Sequence, residues 1–458
     1  VNTRHVLIAG GGYVGMYTAF RLQKALRKEL KRGEVTITIV DPRSYMTYQP
    51  FLPEAAAGNL EPRHVVVSLR AVLPRVKVIT GRIVSVDHAN RTARIEPRAG
   101  DVYDLGYDEL VVALGSVART LPIPGLAQHG IGFKQVEEAI QLRNHVLDRL
   151  DVAESTTSEA VRQRALSFVF VGGGYAGVEA LAELEDMARY ACRYYENVRP
   201  EDMRWVLVEA ADRILPEVGE DMGRYTVRAL RERGIDVKLG TLLESCVDGK
   251  VILSDGSSFE SDTIVWTAGV KANPVLAETD LPRDKQGRVR TEPDLRVVGV
   301  EHAWAAGDSA AVPDLTGPPG ALTSPSAQHA VRQAKVLGDN VARSLRGKLL
   351  QDYRHKHVGS VASLGLHKGV AQVYGIKLKG WLAWFMHRTY HVSRMPTFNR
   401  KTRIVADWTL RLFFHREIVS LGSLQRPREE FERSALPRQV PPAAPEDREP
   451  QRLGTGGN

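Results

Sequence analysis

Two short stretches, GGGYVG at Gly10–Gly15 and GGGYAG at Gly172–Gly177, repeat one pattern, G-x-G-x-x-G, each behind an apolar run of strand type and ahead of a segment of helical period. That order is the fingerprint of a dinucleotide site. Gly10 and Gly172 permit a tight turn, Gly12 and Gly174 let the backbone approach a pyrophosphate, and Gly15 and Gly177 let helix pack closely on strand. The phosphates then meet unpaired N–H groups at a helix start. Behind each loop a β-rich run ends in an acid: VTITIVD in Asp41 and MRWVLVE in Glu209. A carboxylate there accepts hydrogen bonds from the hydroxyls of an adenosine ribose and repels a 2′-phosphate. A ligand-free glycine turn is the competing reading of either copy, and acids in register behind both loops argue against it.

Each loop needs its own parallel sheet flanked by helices, so the expected fold is α/β with two Rossmann-like dinucleotide-binding domains. A third motif orders them. VEHAWAAGDSAAV, at Val300–Val312, places Gly307 and Asp308 directly after a short apolar strand. It resembles the place where two-dinucleotide flavoproteins hold the ribityl chain of FAD through an aspartate. The resemblance implies that the first loop carries tightly bound FAD and the second takes NADH as substrate. ELVVALGS and TIVWTAGV, with Gly115 and Gly269, look like the strand-ending segments that cross between nucleotide domains in that superfamily. The NADH domain (165–294) is then inserted into an FAD domain made of 1–115 and 295–345, with a connector at 116–164. Residues 346–425 are expected to form a C-terminal membrane-surface and dimer region. Residues 426–458, which contain six prolines, are expected to be a disordered tail. Within the connector, Val136, Ile140, Val146, Leu147 and Leu150 predict a helix, and 151–165 reads as its solvated end and an entry loop.

Composition narrows the class. A chain of 458 residues with 43% hydrophobic and 25% charged content is ordinary for a globular protein large enough to bury a flavin. No apolar run reaches the roughly 18 residues of a membrane span, and no signal peptide is read at the start, so a cytoplasmic chain without a transmembrane helix is expected. The two cysteines, Cys192 and Cys246, form no C-x-x-C pair and lie apart from the flavin motifs. That excludes a redox disulfide and an iron–sulfur ligand set, and no metal site is read. The net charge of +8 suits nucleic acid or anionic lipid. Its distribution favours lipid: residues 380–416 hold three of the six tryptophans and seven Lys or Arg against one acid, Asp407. The segment RIVADWTLRLFFHR is too short to span a bilayer but can lie in its interface. No nucleic-acid module accompanies the charge.

After the GD motif, SPSAQHAVRQAKVLGDN predicts a helix starting at Pro325 or Ser326, with a small-residue face of Ala327, Ala330, Val331, Ala334 and Leu337 and with Gln328 in the first turn. These loops and acids, with WTAGVKANP, AAGD, SAQHAVRQAK and GSVASLGLHKGVA, resemble the type II NADH dehydrogenases, single-subunit NADH:quinone oxidoreductases that pump no protons. The resemblance runs from about residue 5 to about 425. It implies a homodimer held peripherally on the cytoplasmic face of the membrane that passes a hydride from NADH to FAD and two electrons on to menaquinone or ubiquinone. It also implies that Glu179 lies near nicotinamide and flavin, positioning NADH or relaying a proton, and that Gln328 belongs to the A-Q-x-A-x-Q quinone motif. The chain departs from that motif at Arg332, with Gln333 just after it. An arginine can donate to a quinone carbonyl but cannot accept. Two other readings stay open: the same fold with a non-quinone acceptor (oxygen, a soluble metabolite or a protein), and a flavin-binding regulator that senses NADH without turnover.

Overall fold

A computed structural model describes residues 3–356 and 358–421, together with Arg428, Phe431, Glu432 and Ser434. The tail expected over 426–458 otherwise lies outside the described residues. A first unit, Val1–Ser420, carries the elements that follow.

The first sheet has seven strands in the order Ala303–Ala305, Glu109–Val112, Arg4–Ala9, Val35–Asp41, Lys77–Asp87, Thr92–Pro97, Tyr103–Gly106. Its first five strands run parallel, and the last two turn back as an antiparallel meander. Val6, Leu7 and Ile8 are wholly buried, as near-continuous apolar strands covered on both faces must be. The second sheet has five parallel strands, Gly130–Gly132, Thr263–Trp266, Ser167–Val171, Arg204–Val208 and Asp236–Lys238. Its edge strand Gly130–Gly132 comes from the stretch expected to be only a connector. In both sheets the strand order reverses beside the strand that feeds the glycine loop, the position where open α/β sheets bind ligands.

The two sheets are joined by a pair of short antiparallel strands, Ser116–Ala118 and Val270–Ala272, which start directly after Gly115 and Gly269. Past the first of them, helix Val136–Ser155 forms as the apolar spacing predicts. The entry loop expected over 151–165 is a correction. Ser158 caps a further helix, Glu159–Ala165, by accepting from the Val161 N–H, so a polar stretch with a good N-cap folds as a surface helix.

Helix Ala327–Ser344 packs along helix Tyr13–Ala25. At Gly338 the approach is so close that a Cβ would lie 2.8 Å from Arg21 Cβ, and the Thr18 hydroxyl donates to the Ala334 carbonyl at 3.3 Å. The C-terminal region opens with a three-stranded antiparallel sheet, Gly359–Ser363, Gly369–Val373 and Ile376–Lys379, which the sequence reading did not anticipate. Helices Gly380–Arg394 and Phe398–Phe413 follow it.

Candidate active site

Both glycine loops adopt one geometry. Gly10 has φ 106° and Gly172 φ 118°, left-handed values that side chains disfavour. A Cβ at Gly15 would sit 1.8 Å from the Gly10 carbonyl oxygen, and one at Gly177 would sit 2.0 Å from that of Gly172. At Gly12 and Gly174 a Cβ would meet nothing within 4 Å, so open space lies where a phosphate must approach the backbone. Helices Tyr13–Ala25 and Tyr175–Ala191 start immediately behind, with no side chain capping either one. Their first N–H groups are therefore left to an anion.

The strand-end acids are matched as well. Asp41 accepts from the Gly11 N–H at 2.7 Å and from the Arg43 N–H at 2.7 Å. Glu209 accepts from the Gly173 and Ala211 N–H groups. Each carboxylate thus ties its loop to the turn after its strand and keeps lone pairs for ribose hydroxyls. Burial pushes the Asp41 carboxyl above its ordinary value, against the pull of its two N–H donors.

Gly115 and Gly269 have φ 67° and 86° and lead from their strands into the crossing pair, where the Arg119 N–H donates to the Gly269 carbonyl. Gly307, φ 68°, brings Asp308 beside the first loop: a Cβ at Gly307 would lie 2.6 Å from Val14 Cγ2. The Ser116 hydroxyl donates to Asp308 at 2.7 Å, and the Lys134 ammonium donates to the Ser116 carbonyl at 2.6 Å and to its hydroxyl at 2.7 Å. Burial lowers the Lys134 pKa, while Asp308 and Glu138 work to raise it. Gln333 fixes the motif from behind, accepting from the Gly307 N–H at 2.7 Å. The glutamine beside the expected motif position is therefore a buried brace for Gly307.

Ser326 caps helix Ala327–Ser344, and Gln328 sits in its first turn. Gln328 Oε1 is 3.0 Å from His355 Nε2 and accepts from the Val358 N–H at 3.4 Å, while its Nε2 donates to the Gly359 carbonyl at 3.3 Å. Arg332, one turn on and on the same face, donates to the Gln328 carbonyl at 2.9 Å. Glu179 lies elsewhere, on helix Tyr175–Ala191, in a buried polar cluster. Its Oε1 accepts from the Ser363 N–H at 2.8 Å, and the Ser363 hydroxyl donates to Glu183 at 2.7 Å. Asn59 donates to the other Glu183 oxygen at 2.8 Å. Sequence reasoning missed Lys134, Gln333, Glu183 and Ser363. Glu183 left a visible signal, a second carboxylate one turn after Glu179 in a helix that also carries Glu185 and Asp186.

The C-terminal segment divides its aromatic residues in a way its composition did not suggest. Trp381 is exposed, whereas Trp384 is buried. Arg388 lies 4.1 Å over the Trp384 ring and 4.8 Å over that of Trp408. Arg388 also donates twice to Glu54, at 3.2 and 2.8 Å, and Trp408 donates to Glu54 at 2.8 Å. Asp407 accepts from His64 at 2.6 Å and from the Glu61 N–H at 3.2 Å. Trp408, Arg388 and the lone acid thus tie this region to the stretch from Glu54 to His64. Among the described residues no helix is long and apolar enough to cross a membrane.

Comparison with known proteins agrees with this geometry. Residues 4–334 match the family model of the pyridine nucleotide-disulphide oxidoreductases. A type II NADH:quinone oxidoreductase of Staphylococcus aureus is 32% identical over 393 residues, 84% of this chain and 94% of that one. NDH2 of Plasmodium falciparum, solved in complex with NADH, shares the fold with a TM-score of 0.83 at 17% identity, over 91% of this chain and 100% of that one. The sulfide:quinone oxidoreductase of Aquifex aeolicus shares it with a TM-score of 0.67 at 16% identity, over 91% and 96% of the two chains. The chain is an NADH-dependent flavoprotein oxidoreductase and belongs to the family of type II NADH:quinone oxidoreductases.

Proposed function

We propose that the protein holds FAD at the first loop, binds NADH at the second, and passes two electrons from NADH to a membrane quinone without moving protons across the membrane. The observation that carries this reading is the pair of glycine loops with matching turns and helix starts, the first of which is met by Gly307 and Asp308. When bound, the flavin supplies a group that accepts a hydride and gives its two electrons up again.

Gly10, Gly12 and Gly15 form the turn for the FAD pyrophosphate. Asp41 takes the adenosine ribose, and Asp308, fixed by Ser116 and Lys134, takes the ribityl chain. Gly115 and Gly269 carry the chain between the two nucleotide domains. Gly172, Gly174 and Gly177 receive NADH, and the Glu209 charge excludes a 2′-phosphate. Glu179, buried at the cluster with Ser363, holds NADH or passes a proton. Gln328 keeps one amide N–H for a quinone carbonyl once Gly359 has taken the other. Arg332 adds a fixed donor beside it.

The exposed Trp381, Leu382, Phe385, Phe398 and Phe413, with Arg394 and Arg403, supply the apolar and cationic contacts of a peripheral helix pair on an anionic bilayer. A homodimer is part of the same reading. The first experiment is anaerobic. NADH should bleach the flavin, and short-chain menaquinone or ubiquinone, injected separately, should restore its colour. Bleaching without return would sink the quinone site at Gln328 and Arg332 and favour a non-quinone acceptor.

A further inference from the structure

Helix Val136–Ser155, the last turn of helix Phe398–Phe413 and the segment just past it bring three arginines together, Arg143, Arg411 and Arg416. Arg143 donates through Nη2 to the carbonyl of Glu417, the residue after Arg416, at 2.8 Å. Both groups press on Gly58, where a Cβ would lie 3.1 Å from that carbonyl oxygen and 3.2 Å from Arg143 Cζ. Arg416 is 5% exposed and donates through Nη2 to Asp186 at 2.9 Å. Its charge acts on both Arg143 and Arg411, so the three guanidinium groups are electrostatic neighbours.

Their donors are only partly met. Arg416 Nε and Nη1, Arg411 Nη1 and Arg143 Nε are buried with no hydrogen-bond partner among the described residues. An unmet donor on a buried charge costs more than one on a neutral group, and a buried charge without compensation costs more again. Loss of a proton gives no escape. Arg411 is pushed down to about 10, by burial first and then by Arg416 and Arg388, with Glu183 and Asp186 opposing. Burial lowers Arg143 as well, against Glu417 and Glu61, and Arg416 adds to the lowering. Both remain cations at neutral pH.

The acids that act on these groups are engaged or turned outward. Asp186 is taken by Arg416, and Glu183 receives the Asn59 amide and the Ser363 hydroxyl. Glu61 and Glu417 are exposed. Three cations thus converge with donors to spare.

We propose that Arg143, Arg411 and Arg416 form a binding site for a phosphate group. The planar fork of a guanidinium matches the oxygens of a phosphate, and several forks together answer its charge. A buried water can accept from one or two of these N–H groups but leaves the charge uncompensated. Two sources offer the group, a phospholipid headgroup and free phosphate. The flanking residues favour the first: Leu412, Phe413 and Phe414, between Arg411 and Arg416, are all exposed. Apolar side chains that can meet acyl chains therefore adjoin donors that can meet a headgroup. The phosphate site stands without the membrane reading above, and only its lipid source rests on that reading.

The test uses the flavin-loaded protein with NAD⁺ in excess, so that the glycine loops are occupied. Inorganic phosphate is titrated against sodium chloride at matched ionic strength, and the melting temperature is read. Phosphate should stabilise the unmodified protein progressively. Arg416→Lys keeps the charge and loses the fork, and Arg411→Gln removes a charge. Each should raise the phosphate concentration that gives half the shift by about tenfold. Mere attraction between cations and anions would leave Arg416→Lys unchanged. Arg403→Gln, at an exposed position on the same helix, is the control and should change nothing. Should Arg416→Lys not fold, Arg411→Gln, at a half-buried position, decides the question.

A second arm separates the sources. The protein is sedimented with vesicles of phosphatidylglycerol in phosphatidylcholine. A headgroup site predicts binding weakened by about tenfold in Arg416→Lys and Arg411→Gln. A phosphate shift that depends on Arg416, beside vesicle binding that does not, assigns the site to free phosphate. Unmodified protein that ignores the vesicles sinks the membrane reading and leaves the site to the first arm. The site is overturned when neither the phosphate shift nor vesicle binding depends on Arg411 or Arg416.

Discussion

The two glycine loops share a backbone and differ in what closes over them. The first is met by a chain that returns after an excursion of nearly two hundred residues, from Ser116 to Asp308, and seals the contact with a hydroxyl–carboxylate bond. Gly307 reaches Val14 in that loop's helix, and Gln333 braces Gly307. The second loop is met by Thr267 and Ala268 at the end of its neighbouring strand and by Ile214 and Leu215, a few residues past Glu209, where the Leu215 N–H donates to the Gly173 carbonyl at 2.9 Å. On the proposed assignment this contrast separates a resident cofactor from an exchanging substrate. The fingerprint supplies phosphate contacts to both, and the residence time is set by what the rest of the chain adds.

The strongest way to break that comparison is to damage both loops alike. Gly15→Ala and Gly177→Ala each drive a methyl group into a carbonyl oxygen, and forcing helix from strand costs about 1–3 kcal/mol. If the sites divide as proposed, Gly15→Ala purifies with little flavin, whereas Gly177→Ala keeps its flavin and shows a KM for NADH raised by about tenfold or more. Flavin absorbance per chain after gel filtration and a KM determination settle it, and equal flavin loss from both would erase the distinction. Asp308→Asn sharpens the same point with a smaller change. The amide oxygen can still accept from Ser116, but the charge is gone, so flavin should dissociate about tenfold faster, with the KM for NADH little altered.

The strand-end acids offer a milder exchange. Glu209→Gln keeps one oxygen for the Gly173 or Ala211 N–H and removes the charge that repels a 2′-phosphate. The ratio of kcat/KM for NADPH over NADH should rise about tenfold, with flavin content unchanged. Asp41→Asn should do the reverse, weakening flavin retention without altering nucleotide preference. A preference shift from Asp41→Asn would mean that the loops had been assigned in the wrong order.

Much of this arrangement was legible in the sequence because it is local. Turn glycines, strand-end acids and a GD pair after a short strand each fit within a few residues, and their backbone demands fix the residue types. The cap at Ser326 and the helix bearing Gln328 were legible for the same reason. What was hidden depends on distant segments meeting. Lys134 lies in no motif and becomes part of the site only when the crossing strand brings Ser116 to it. Trp408 and Arg388 carry the composition of a membrane surface, yet their partner Glu54 lies more than three hundred residues earlier. Composition cannot tell an arginine aimed at lipid from one buried against a carboxylate. The three-stranded sheet Gly359–Lys379 was hidden because strands of four or five residues carry too little alternation to stand out.

The helices behind the loops carry the comparison to its subtlest consequence. Helix Tyr13–Ala25 buries only Thr18 and Gln23 among its polar residues, whereas helix Tyr175–Ala191 buries Glu179, Glu183 and Glu185. Glu183 is pushed up to about 7, by burial first and then by Glu54 and Asp186, with Ser363 and Arg388 pulling the other way. In the unfolded chain a glutamate titrates near about 4.3. Between those values the folded protein keeps a proton that the unfolded chain has released, so this group's contribution to stability falls as pH rises through the window and levels off above it. Glu183→Gln is neutral throughout and escapes that loss. Its melting temperature relative to the unmodified protein should therefore climb from pH 5 to about 7 and then stay flat, as thermal unfolding at a series of pH values can measure. A difference constant across the window would mean that Glu183 is ionised in the fold and balanced by Arg388. The second helix would then hold a buried carboxylate balanced by an arginine, where the first helix buries only the neutral Thr18 and Gln23.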